Sequence, residues 1–160
     1  MGGMKHRGMT PIVQTTAGWV KGFTLVFGAY IVAYGHLTPG GGFAGGVILA
    51  LAFVMLVLAN GRKGIPRVLN IDFVAKLDSV GGLLFLGIAL LGMLPSLGGT
   101  FFNNFPVKVL HIGTPFRLVS AGIIPLCNIA IAIKVASSLF LLFILLILLR
   151  IVRTDGESGE

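Results

Sequence analysis

The chain has 160 residues, of which 56% are apolar and only 11% charged, with a mean hydropathy of +1.01. A soluble domain carries about a quarter charged residues and at most half apolar ones, so this composition excludes a soluble globular fold and leaves no room for a separate soluble catalytic domain. The net charge of +7 comes from basic residues flanking long apolar runs, which marks membrane topology rather than nucleic-acid binding.

In chain order, residues 1–11 form an N-terminal segment carrying Lys5 and Arg7. The first predicted transmembrane helix runs from about Ile12 to Tyr34. Its 23 residues exceed a signal-peptide core and no small-residue cleavage site follows, so it reads as a mature helix. Trp19 and Lys21 near its start suit a membrane interface, and Gly18 and Gly22, four apart, offer a face for close helix approach.

A glycine-rich turn follows, Tyr34-Gly35-His36-Leu37-Thr38-Pro39-Gly40-Gly41-Gly42-Phe43-Ala44-Gly45-Gly46. Irregular backbone at a bilayer edge needs partners for its amides and carbonyls, so the turn is expected to lie against protein or a wet cavity. Gly40-x-Gly42-x-x-Gly45 formally matches a dinucleotide fingerprint, but that motif should follow a strand, whereas here Pro39 precedes it, a membrane span follows it, and the next acid is Asp72. The same residues make better packing surfaces: Gly41 with Gly45, and Gly42 with Gly46 and Ala50, repeat at four-residue spacing. His36 is the one titratable group in the turn. It either serves a proton path or fixes the loop through hydrogen bonds.

The second span runs from about Gly41 to Leu58 and is stopped by Asn60-Gly61-Arg62-Lys63-Gly64-Ile65-Pro66. The third is expected from about Ser79 to Leu97, with Asp78 or Ser79 as its cap. Asp72 and Asp78 then fall outside the membrane, solvated or paired with Arg67 and Lys76. The connection 98–122 is irregular, with His111 isolated in it. The fourth span, about Ile123 to Val152, has 30 residues and would reach roughly 45 Å, so it tilts or projects beyond a core of about 30 Å. The transmembrane domain thus covers 12–152, and 153–160 is a polar tail.

Sidedness follows from Lys and Arg. Lys5, Arg7, Lys21, Arg62, Lys63, Arg67, Lys76, Arg150 and Arg153 share one side, nine residues against Lys108 and Arg117 on the other. Both termini are therefore expected in the cytoplasm.

Lys134 stands inside the fourth span, about 14 Å along the helix from Pro125. A mid-membrane ammonium costs a few kcal/mol on insertion scales, so it needs an anion, water or a snorkelling route. With the third span starting at Ser79, no acid lies well inside a span, and the partner is expected from another polypeptide or from water. Lys134 then belongs either to an ion path or intersubunit pair, or to a helix offset enough to let it snorkel. Asn128, six residues earlier and roughly 120° around the helix, reads as interhelical glue rather than an ion ligand. The single Cys127 reads as a packing residue, no His or Cys shows metal-ligand spacing, and no catalytic triad or paired-carboxylate arrangement can be assembled.

On these residues the chain resembles the MnhB/MrpB family, small membrane subunits of Mrp-type multisubunit cation/proton antiporters. Gly35-His36-Leu37-Thr38-Pro39-Gly40-Gly41-Gly42-Phe43-Ala44-Gly45-Gly46 is similar to the family's G-H-x-x-P-G-G-G-F-x-G-G element. Ser120-Ala121-Gly122-Ile123-Ile124-Pro125-Leu126-Cys127-Asn128-Ile129, followed by Ile133-Lys134-Val135, is similar to a second block in the same order. Departures are Ala132 and Ala136-Ser137-Ser138, where the family has more glycine, and the segment through Lys21. The resemblance implies an all-α, multi-pass subunit of the cell membrane that catalyses no reaction and binds no cofactor itself. Its partners would be other membrane subunits of a module moving Na+ and H+. It also allows that module to be joined to a hydrogenase or sulfur-reductase arm, or the chain to serve assembly alone. The ion-path candidates are then Lys134, His36 and Asn128. Pro39, Gly40, Gly41, Gly42, Gly45, Gly46, Gly122 and Pro125 would shape turns and packing.

Overall fold

The structure is a computed structural model that describes residues 9–37, 39–60, 70–97, 99–104 and 121–157, with side chains up to 150. Among them are four helices long and apolar enough to cross a membrane, and no strand. They are α1 (Pro11–Tyr34), α2 (Gly41–Asn60), α3 (Ile71–Leu91) and α4 (Ile124–Glu157), with a single 3-10 turn at Pro95–Leu97. The basic residues outside these ranges, among them Arg62, Arg67, Lys108 and Arg117, and His111 lie outside the described residues.

Pro11 opens α1 at a position where its missing N–H is not needed. Within α1 the hydroxyls of Thr15, Thr16 and Thr24 donate to the carbonyls four residues back, at 3.0, 2.9 and 2.8 Å. In an apolar medium that leaves no hydroxyl hydrogen without an acceptor. Past Tyr34 the chain reverses so tightly that a Cβ on Gly35 would meet the Cα of Gly41. Gly40 and Gly41 take φ of 138° and 61°, a region only glycine enters without strain.

The helices pack in the spatial order α1, α2, α4, α3, with α1 also touching α4. Glycines set the crossings. A Cβ on Gly45 would strike Val32 of α1, one on Gly42 the Asn128 main chain of α4, and one on Gly46 would sit 2.9 Å from the Ala132 carbonyl oxygen. The four-residue spacing read from the sequence therefore divides between two neighbours within the chain. Gly18 and Gly22, by contrast, face open space.

The buried core is small. Val57, Val74, Phe140 and Ile144 cluster where the end of α2 meets the start of α3 and the second half of α4, with the Phe53 and Phe140 rings edge-on at 6.1 Å. Most large apolar side chains point outward, among them Trp19 (81% exposed) and Phe23 (76%). That pattern suits a surface whose solvent is hydrocarbon or another subunit.

The third helix differs from its sequence-based bounds. It begins at Ile71, eight residues before Ser79, and ends at Leu91 rather than Leu97. Asn70 is its N-cap, accepting the Asp72 amide at 3.1 Å. Asp72, Lys76 and Asp78 lower the hydropathy of the first two turns and hide them from a search for apolar runs. Helical hydrogen bonding does not require apolar residues, and Phe73, Val74 and Leu77 still recur on one face at helical spacing. At the other end, Pro95 disfavours helical backbone in the residue before it, and the chain turns at Gly92. The fourth helix, 34 residues and about 51 Å long, exceeds a bilayer core as its sequence requires. The Asn104 side chain accepts the Ile123 N–H at 3.1 Å beside Gly122, whose φ is 67°, and so ties the preceding connection to the start of α4.

Candidate functional site

Because α3 starts at Ile71, Asp78 lies seven residues into it, about 10 Å from its end and within a candidate membrane span. Lys134 lies ten residues into α4, about 15 Å from that helix's start. The two helices cross at Gly81. A Cβ there would sit 2.8 Å from the Lys134 backbone nitrogen and 2.9 Å from its Cβ, so only glycine admits this approach. From the crossing the lysine stem passes Gly82, whose Cβ position is 3.8 Å from Lys134 Cδ. It runs back one turn to Asp78.

Lys134 Nζ donates to both carboxylate oxygens of Asp78 at 3.1 Å. Ser138, one helical turn after Lys134 on α4, donates its hydroxyl to Asp78 Oδ1. The result is an ammonium, a carboxylate and a hydroxyl shared between two helices. The pair is not enclosed by this chain: the lysine side chain is 48% exposed and the aspartate 27%.

This corrects two expectations. Among the described residues Lys134 finds a partner in its own chain, and Asp78, expected outside the membrane, pairs with Lys134 and Ser138 inside a candidate span. Both differences follow from the start of α3 lying two turns earlier than its apolar run suggests. A legible signal was present: Asp78 stands three and four residues before Gly81 and Gly82, and Lys134 four before Ser138, so each set shares a helical face.

Asn128 is 9% exposed and lies at the other end, about 9 Å from Lys134 along α4. Its main chain packs on Gly42, and its Oδ1 is 3.4 Å from the Cβ position of Gly41. Its Nδ2 is buried without a hydrogen-bond partner among the described residues. His36 is half-buried just past α1, in a turn closed by the Leu37 N–H on the Tyr34 carbonyl at 2.9 Å. The structure thus groups Asn128 with the glycine turn, apart from Lys134. Pro125 occupies the first turn of α4 and is buried, Pro39 is exposed, and Cys127 is a half-buried free thiol. Among the described residues no three His, Cys, Asp or Glu side chains gather as metal ligands.

Residues 12–141 match the family described as a domain related to the MnhB subunit of Na+/H+ antiporter. An uncharacterized protein of Methanocaldococcus jannaschii is 36% identical over 132 residues, covering 81% of this chain and 49% of that protein. A Na(+)/H(+) antiporter subunit of Bacillus subtilis is 35% identical over 83 residues, 46% of this chain and 58% of the relative. Among solved structures, a chain of the membrane-bound sulfane sulfur reductase, an archaeal respiratory membrane complex, superposes with a TM-score of 0.61 at 27% identity. That match covers 87% of this chain and 58% of the other. The chain therefore spans about half to three-fifths of the length of these relatives. With four apolar helices of membrane-spanning length and a family match over most of its sequence, this multi-pass membrane chain belongs to the MnhB-related domain family.

Proposed function

We propose that the chain is an integral subunit of a cation/proton exchange module in the cell membrane and lends the Lys134–Asp78 pair to the wall of its ion path. The pair carries this reading. Its ammonium is half exposed on the flank of two helices apolar enough to span a bilayer. Against lipid each such charge costs about 2.5–3.5 kcal/mol on insertion scales. A neighbouring subunit or a water-lined path at this flank removes that cost, so the pair marks where the module continues. An isolated carboxylate at this depth is unfavourable, so any cation or proton reaching Asp78 takes over the counter-ion role of Lys134. That exchange makes the pair responsive to ions. Sodium and protons as the ions moved are supported by the name of the Bacillus subtilis relative. No resident cofactor is assigned to this chain, and its partners are other membrane subunits.

The test uses the intact assembly in membrane vesicles, with proton exchange followed by a pH-sensitive dye on adding sodium. Asp78→Asn and Lys134→Ala are each expected to lower exchange at least tenfold while the subunits that co-purify stay the same. Unchanged exchange in both variants would leave the chain a purely structural assembly subunit.

A second reading, the same module inside a redox-driven membrane complex, is favoured by the likeness to the sulfane sulfur reductase chain. Gentle purification from native membranes separates the two. A co-purifying iron–sulfur or nickel–iron arm supports the redox-driven complex, and antiporter-type subunits alone support the exchanger.

A further inference from the structure

Asn128 lies four residues into α4, about 6 Å from that helix's start and inside a candidate membrane span. It is 9% exposed, and its Nδ2 is enclosed with no hydrogen-bond acceptor among the described residues. Two amide hydrogens kept from water without an acceptor are unfavourable, so the group calls for a ligand. The carboxamide is aimed at the first turn of α2, with Oδ1 3.4 Å and Cγ 3.9 Å from the Cβ position of Gly41. In that turn the amides of Gly41, Gly42 and Phe43 have no acceptor within the helix. The Ala44 N–H is the first to bond back, onto the Gly40 carbonyl at 3.4 Å. The end of α1 meets the same place. Gly35 caps that helix, and its carbonyl oxygen lies 3.9 Å from the Gly41 Cβ position. Gly41 itself puts no side chain into this space.

The mixed polarity of the site selects its ligand. An anion would suit Nδ2 and the α2 amides but would face the Gly35 carbonyl and Asn128 Oδ1. A bare cation would suit those two oxygens but would face N–H donors. A ligand that both accepts and donates satisfies the two sets, and it has to be small because Nδ2 is closed off. We propose that Asn128 and the glycine turn hold one ordered water at the meeting point of α1, α2 and α4. The water accepts from Asn128 Nδ2 and donates to the oxygens of the turn, which supplies the polar partners that a buried water needs. The site stands apart from the Lys134–Asp78 pair and does not depend on that pair's role.

The test is solid-state NMR on the isotope-labelled chain, purified with its accompanying subunits from native membranes and returned to deuterated lipid. The chain has five asparagines, so the carboxamide signals are few, and correlation with the Asn128 side-chain carbons identifies Nδ2 without a variant. Magnetisation passed from water protons is expected to reach Asn128 Nδ2 at least threefold more strongly than the amide of Ala52, which has no exposed surface. The Nδ2 hydrogens should exchange with deuterated water at least tenfold more slowly than those of the exposed Asn70. Transfer no greater than at Ala52 would overturn the proposal, because the carboxamide would then be dry or bonded directly to protein. Exchange as fast as at Asn70 would also overturn it, because bulk solvent would fill the site. Asn128→Leu keeps the bulk and removes both polar atoms, so in the assembled variant water transfer to the Gly41 and Gly42 amides should fall at least threefold. Unchanged transfer there would mean that Asn128 does not hold the water. The first two readings stand whether or not this variant assembles.

Discussion

Lys134 shows how a residue that is costly alone becomes tolerable in company. Its ammonium meets both oxygens of Asp78, and Ser138 adds a hydroxyl to the same carboxylate. Removing one member leaves the other as an unpaired charge at membrane depth, whereas removing both leaves none. Asp78→Asn or Lys134→Met alone should therefore destabilise the detergent-solubilised protein by about 1–3 kcal/mol. The double variant should recover most of that loss, as read from thermal unfolding midpoints. Recovery of stability without recovery of exchange would separate the pair's part in folding from its part in ion movement. Additive losses in the double variant would instead mean that the two side chains do not act as a pair. Lys134 stood out in the sequence because a lone charge in an apolar run is conspicuous. Asp78 did not, because Asp72 and Lys76 beside it made the start of α3 look like a loop.

Among the elements, glycine placement decides which helices touch. Gly42 and Gly46 bring α2 onto α4, Gly45 meets α1, and Gly81 lets α3 reach Lys134. Gly18, Gly22 and Gly87 face nothing within 4 Å. The same substitution should thus have opposite outcomes along the chain. Gly81→Ala and Gly46→Ala each insert a methyl group against neighbouring main chain and should cost about 1–3 kcal/mol. Gly87→Ala meets no obstacle and should be neutral or slightly stabilising, since alanine is the better helix former. Thermal unfolding of the three variants checks this ordering, and a Gly81→Ala protein as stable as Gly87→Ala would contradict the crossing described. The small-residue repeats were legible as packing signals, but their partners were not. A four-residue spacing defines a face without saying what meets it.

At the scale of the whole molecule, four helices share only a small buried cluster, and much of the apolar surface faces outward. Trp19 is the sole tryptophan and is 81% exposed, so it reports what covers α1. In vesicles of the chain alone, brominated lipids should quench its fluorescence strongly. Quenching that falls at least twofold in the native assembly would place a partner on α1, and equal quenching would leave that face to lipid. The sequence by itself marked the membrane class, four apolar runs long enough to span, the reversal at the glycine turn and a lone lysine within the last apolar run. These follow from transfer free energy and backbone sterics, which are local properties of the residues. The tertiary structure alone decided that Asp78 lies inside a helix opposite Lys134, that two neighbours share the glycines of α2, and that Asn128 comes against the glycine turn. Those outcomes depend on helix register and crossing geometry, which bring together residues 56 positions apart; the local spacing of Asp78 with Gly81, or of Lys134 with Ser138, marks a face without naming what meets it.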